Sequence, residues 1–221
     1  MGVVKLDAYV LIVKGSDRVK FVDGLSTNKI EGSCTTVFTT KNAKIIDMVD
    51  VIDMGNFLAL VGYNPYKSKL IEHISSRVLG QDISITDVST NNNVYLSTDE
   101  CKVGSEVTVT STFRGLLLIA PKSTEIEVNM TRDQFNDYRV QNLIPHQGHE
   151  ISEKVNPLIC GLGHLVHQSK GCYIGQEILV RMRSRGRINK KLVRKENPVD
   201  SATTVGSTHS CLLYTSPSPR D

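Results

Sequence analysis

Residues 35–63, TTVFTTKNAKIIDMVDVIDMGNFLALVGY, hold three consecutive runs of β-branched and apolar residues. Thr35–Thr40, Lys44–Met54 and Phe57–Tyr63 each have the composition of a strand, and Lys41-Asn42 and Gly55-Asn56 supply the turns between them. Upstream, Ala8–Val13 is a short apolar run that suits a buried strand. Lys14-Gly15-Ser16-Asp17 then turns the chain, and Asp17 is placed to cap a helix with Phe21, Val22 and Leu25 on one face. Downstream, Asn64-Pro65 opens a helix carrying Leu70, Ile71, Ile74 and Val78, stopped at Gly80. Residues 82–89, DISITDVS, alternate as a strand does, and VTVTSTF (107–113) with GLLLIAP (115–121) reads as a hairpin. A further helix runs from Arg132 to Leu143, ended by Pro145 and Gly148. The order β-α-βββ-α-β-ββ-α predicts an α+β fold of mixed sheets and helices rather than a regular βαβ series.

The chain has 221 residues, enough to bury a sizeable core. Trp is absent and aromatics are only 5%, so that core must rest on Val, Ile and Leu. A net charge of +3 is too small to imply nucleic acid. Its distribution says more: Arg181 to Lys195, RMRSRGRINKKLVRK, carries eight Arg or Lys and no acid. Such a run is either a solvated basic face or an attractor of polyanions and carboxylates. The five cysteines, Cys34, Cys101, Cys160, Cys172 and Cys211, are scattered and form no CxxC. That spacing suits neither a disulfide framework nor a zinc site, so no metal is expected, and a reducing compartment fits it. The N-terminal apolar run is too short for a signal peptide or a membrane span. A cytoplasmic protein with no membrane partner is the expectation.

The segment Lys170-Gly171-Cys172-Tyr173-Ile174-Gly175-Gln176-Glu177 reads as a glycine-punctuated turn running into a helix. Glu177 and Arg181 stand four apart and can pair on one helix face. Cys172, near Lys170 and a helix start, has two features that favour a thiolate, although a buried inert cysteine is the commoner outcome of such a pattern.

KGCYIGQE resembles the signature of the YgfZ family, a branch of the folate-binding proteins related to the glycine-cleavage T-protein (GcvT). The resemblance extends to KGSDRVKFVDGLSTNKI (14–30), to TTVFTTKNAKIIDMVDVI (35–52), to the arginine, P-x-x-G-x-E and N-P-L elements within residues 139–168, and to RGRINKKLV (185–193). It implies a GcvT-like folate-binding fold: two α+β subdomains over residues 1–189 and the start of a C-terminal β-barrel at 190–210, with the barrel mostly missing. It implies tetrahydrofolate as cofactor and a role in maintaining iron–sulfur enzymes and the tRNA modification that depends on them. Iron–sulfur client proteins, and tRNA, are then possible partners. The alternative is an enzyme, a glycine-cleavage aminomethyltransferase or a related tetrahydrofolate-dependent methyltransferase.

Residues carry over from the resemblance one by one. Arg139 would grip a folate carboxylate. Asp47 would face the ring nitrogens and assist one-carbon transfer, and Cys172 would belong to the active surface. Lys170, Tyr173, Gln176, Glu177 and Arg181 would line the cofactor site around that cysteine. Two departures weigh against transfer chemistry. Met48 stands where T-proteins have a second acid, and residues 105–121 lack the T-protein Tyr-Thr-Gly-Glu-Asp-Gly segment. A third departure is Ile159, where relatives often carry Glu. The last eleven residues, CLLYTSPSPRD (211–221), resemble one reading frame of a transposon-end sequencing adapter. They are expected to pack against nothing, with the natural chain continuing past about Ser210.

Overall fold

The structure is a computed structural model and describes residues 2–186 and 188–215. Its elements in chain order are β1 (Val3–Lys5), β2 (Ala8–Lys14), α1 (Arg18–Leu25), β3 (Cys34–Thr39), β4 (Ile45–Asp53), β5 (Phe57–Tyr63), α2 (Lys67–Ser75), β6 (Ser84–Asp87), β7 (Asn92–Ser97), β8 (Thr108–Thr112), β9 (Gly115–Pro121), α3 (Arg132–Gln141), α4 (Gln176–Ser184), β10 (Lys190–Glu196), β11 (Thr204–Val205) and β12 (His209–Thr215). The fold is mixed α+β. The three strands at 35–63 are consecutive neighbours in a five-stranded antiparallel sheet ordered β3-β4-β5-β2-β6, with β3 at its edge. A second sheet is ordered β1-β7-β9-β8 and a third β10-β12-β11.

Alternation sorts the central strands into two faces. Val49, Val51, Tyr9, Leu11 and Val13 lie in the core beneath α1 and α2, with Phe21, Val22 and Leu25 from one helix and Leu70 and Ile74 from the other. The opposite face sends Val10, Ile52, Ala59 and Val61 against Val94, Leu117 and Ile119 of the second sheet. That same face of the second sheet also receives α3, where Phe135 packs with Leu96, Val4 and Leu6. Two partners therefore share one sheet face, and the angle left between them is where a cavity opens. The layer is fixed at a distance in sequence: β1 pairs with β7 in the register Val3↔Ser97. No helix among the described residues is long and apolar enough to cross a membrane.

Several local expectations are corrected. Asp17 sits at the start of α1 but makes no side-chain cap. Its carboxylate instead accepts the Asp82 amide at 3.0 Å, tying α1 to the loop before β6. Helix α2 ends at Ser75, so Val78 packs against the same core from outside the helix. β1 and β7 had no local signal, because one is three residues long and the other begins inside the polar run Ser89–Asn93. The largest correction concerns the tail. Cys211–Thr215 lie in β12, paired with β10 through Arg194↔Cys211 and Lys191↔Tyr214, and Cys211 and Leu212 are buried. Leu212, Leu213 and Tyr214 have ordinary strand-forming character, and backbone pairing depends on that character whatever DNA encoded it. Residues 216–221 lie outside the described residues.

Candidate functional site

The cavity between α3 and the two larger sheets has a volume of about 340 Å³. Its walls are mixed: Val4, Leu6, Val61, Tyr63, Phe135 and His146 supply apolar and aromatic surface, and Asp50, Arg114, Asn136 and Gln147 supply polar surface. The rings touch edge to face, with Phe135 and His146 centroids 5.7 Å apart and Tyr63 and His146 6.0 Å apart. Burial, reinforced by the charges of Arg139 and Arg114, lowers His146 to about 3, so its imidazole is neutral across the physiological range. Deep in the wall lies a buried ion pair, Arg114 with Asp50. Thr35 donates its hydroxyl to the other Asp50 oxygen at 2.7 Å. Exposed Lys5, Asp7, Arg132 and His149 stand around the rim.

Asp47 lies just behind this wall, fully enclosed. Its carboxylate accepts the Tyr9 hydroxyl at 2.8 Å and the amides of Tyr63 at 3.0 Å and Met48 at 2.9 Å, with the Gln147 side chain at 3.4 Å. Burial raises its pKa to about 7 against the lowering effect of those bonds. Position 62 must be glycine here, since a Cβ would collide with the Tyr9 hydroxyl and the Asp47 carboxylate. Asp47 therefore does not reach the cavity as expected. It shares the helix-covered face with Val49, and the acid that borders the cavity is Asp50, three residues on.

Arg139 is also placed differently from the expectation. It is 1% exposed and does not line the cavity. Its guanidinium meets Glu150 at 3.3 Å, Asn136 at 2.8 Å and Thr204 at 3.3 Å. Glu150 in turn accepts the hydroxyls of Thr203 and Thr204, both at 2.6 Å, and the His146 amide at 3.1 Å. The arginine and P-x-x-G-x-E elements thus form an internal clasp joining α3, the 145–150 loop and β11.

The KGCYIGQE segment, 170–177, lies apart from the cavity, and none of its residues lines it. Lys170 is buried, and its ammonium donates to the carbonyls of Asp23 at 2.7 Å, Ser26 at 2.9 Å and Asn28 at 2.8 Å, and to the Asp23 carboxylate at 3.1 Å. Those carbonyls lie at the end of α1, where a cation is favoured. Tyr173 is buried beneath it, with the ammonium 5.4 Å from the ring centroid. Thr39 donates to the Ile174 carbonyl at 2.6 Å. Gly175 adopts φ 85° and starts α4, and a Cβ there would stand 2.7 Å from the Thr40 carbonyl oxygen. These contacts leave Cys172 exposed and Gln176 half-buried, with Glu177 and Arg181 paired on the surface at 2.7 Å. Lys170 is thus committed to α1, and Cys172 precedes the helix start by four residues, so neither source of thiol activation expected from the sequence is in place.

Asp50, Arg114, His146 and Gln147 were missed as cavity residues. Asp50 carried a usable signal, a carboxylate inside the apolar run VDVI. Arg114 carried none, because Phe113-Arg114-Gly115 reads as an ordinary hairpin turn.

Neither a family model nor a curated protein sequence matches the chain. Among solved structures, glycine cleavage system aminomethyltransferase T from Bartonella henselae is similar, with a TM-score of 0.73 at 12% identity, over 91% of this chain and 69% of that one. The chain has the fold of that aminomethyltransferase, a GcvT-like fold.

Proposed function

We propose that this protein binds tetrahydrofolate in the cavity between α3 and the two larger sheets, and that its chemistry is of the aminomethyltransferase or related methyltransferase kind. The observation that carries the reading is the cavity itself. Aromatic walls suit a flat pteridine, a buried ion pair suits the polar edge of that ring, and Arg132 and Lys5 at the rim suit an anionic glutamate tail. The shared fold supports it. If transfer occurs, Asp50 is the carboxylate placed to meet the ligand. Calorimetric titration with tetrahydrofolate under anaerobic conditions tests the reading. Saturable binding, weakened by Tyr63→Ala, is expected, and absence of binding at about millimolar ligand removes it.

A second reading, a YgfZ-type protein serving iron–sulfur enzymes, is favoured by one observation. Cys172 is presented to solvent on an anchored loop outside the cavity, where a partner protein can reach it. Under that reading Cys172→Ser abolishes support of iron–sulfur enzymes in cells and leaves tetrahydrofolate binding intact.

A further inference from the structure

We infer that the Asp50–Arg114 pair reads the amino–NH–carbonyl edge of the cavity's ligand, the edge of a 2-amino-4-oxopyrimidine ring; the inference rests on the folate reading above and specifies how that site would select its ring. Among the ion pairs of the described residues, this is the one whose two members both border the cavity. Both side chains are more than nine-tenths buried, at 7% and 2% exposure. Neither is fully used. Arg114 donates to Asp50 through one terminal nitrogen and makes no other side-chain hydrogen bond among the described residues; its Nε is enclosed and out of a ligand's reach, so the capacity left for a ligand lies on the other terminal nitrogen. Asp50 accepts one bond from Thr35 and one from Arg114, while a carboxylate has about four acceptor positions.

A half-satisfied charged pair this deeply buried is costly unless a ligand completes it. Local contacts hold the pair in one orientation. Thr35 fixes the carboxylate, and the Tyr138 hydroxyl, donating to the Arg114 backbone carbonyl at 3.0 Å, fixes the turn from which the guanidinium extends. Together the two residues present free N–H donors beside free carboxylate acceptors. The complementary ligand edge has a carbonyl acceptor next to two N–H donors. A 2-amino-4-oxopyrimidine carries that order: its ring carbonyl faces Arg114, and its ring N–H and amino group face Asp50. Replacing the carbonyl by an amino group sets a donor against the Arg114 donors, which a buried site rejects strongly.

Pterins and guanine share this edge, so the test has three ligands: tetrahydrofolate, its 4-amino-4-deoxy analogue and guanosine. Wild type is expected to bind tetrahydrofolate at least about tenfold more tightly than the 4-amino analogue. The variant Asp50→Leu/Arg114→Met removes the pair without stranding either charge and keeps side-chain volume, so it retains the fold. Retention is checked by its melting transition. In this variant, tetrahydrofolate binding is expected to fall at least about tenfold and the preference over the 4-amino analogue to disappear. Unchanged affinity and preference in the folded variant overturn the assignment of the pair and leave the folate reading standing. Guanosine binding without tetrahydrofolate binding supports the pair and overturns the folate reading. Binding of none of the three by wild type overturns both.

Discussion

The cavity and the KGCYIGQE loop place buried charge in opposite ways. At the cavity, Asp50 and Arg114 are buried with hydrogen-bonding capacity left over. At the loop, Lys170 is buried with four protein oxygens around it, and the residues left free are at the surface. A saturated buried cation holds structure, whereas an unsaturated buried pair is available to a ligand. A motif read as one site therefore divides into anchors, Lys170, Tyr173 and Gly175, and a presented edge, Cys172, Glu177 and Arg181. Arg139 and Arg114 divide in a related way: both leave Nε without a partner, but both terminal nitrogens of Arg139 are bonded to protein oxygens, whereas among the described residues Arg114 bonds through one of its two.

The strongest way to break this comparison is Lys170→Met. It would leave three carbonyls and the Asp23 carboxylate without their cation, so a loss of about 3–5 kcal/mol in denaturant unfolding is expected. A loss below about 1 kcal/mol would mean the loop is not anchored there. Next comes Arg139→Ala, expected to cost about 3 kcal/mol by stranding buried Glu150. Tetrahydrofolate affinity of the folded fraction should stay within about threefold. An affinity loss near a hundredfold with stability unchanged would return Arg139 to the binding site.

A smaller effect separates Asp47 from the cavity. Its folded pKa, raised to about 7, lies above the unfolded value, so the native state holds the extra proton between them. Its contribution favours folding at low pH and is lost as pH rises from about 4 to about 7, by at most about 4 kcal/mol. Asp47→Asn should flatten that part of the stability curve. His146, lowered to about 3, acts oppositely, and its contribution is lost as pH falls below about 6.5. An Asp47→Asn curve parallel to that of wild type across this window would show the carboxyl to be ionised and solvated. The smallest effect is expected at the loop's presented edge. Cys172→Ser should change stability by less than about 0.5 kcal/mol. Cys172 should also be the first thiol alkylated by iodoacetamide, because it is exposed while burial pushes Cys34 and Cys211 up to about 11 and Cys160 up to about 12. Faster labelling of Cys34 or Cys101 would place the accessible thiol elsewhere.

Much of the fold was legible because its signals are local. Runs of β-branched residues, turn residues between them and a 3.6-residue apolar spacing marked β2 to β5, α1 to α3, β6 and the β8–β9 hairpin. β1, β7, β11 and β12 were not legible. β1 and β11 are two or three residues long and β7 opens in a polar run, so each becomes a strand only through a partner, as β1 does by meeting β7; β12 has strand-forming residues, but the resemblance to an adapter reading frame masked them.

The candidate site divides along the same line. Sequence alone determined that 35–63 is a strand meander, that the class is α+β, and that 170–177 is a tight, glycine-dependent turn into a helix. Those properties depend on backbone preferences and side-chain period within a few residues. Only the tertiary structure decided which charged side chain serves which end. Lys170 meets Asp23 across 147 positions, Arg114 meets Asp50 across 64, and Asp47 and Asp50 part company because strand alternation sends them to opposite faces of one sheet. The role of a buried charge is set by the partners that close around it, and chain folding supplies those partners from far along the sequence.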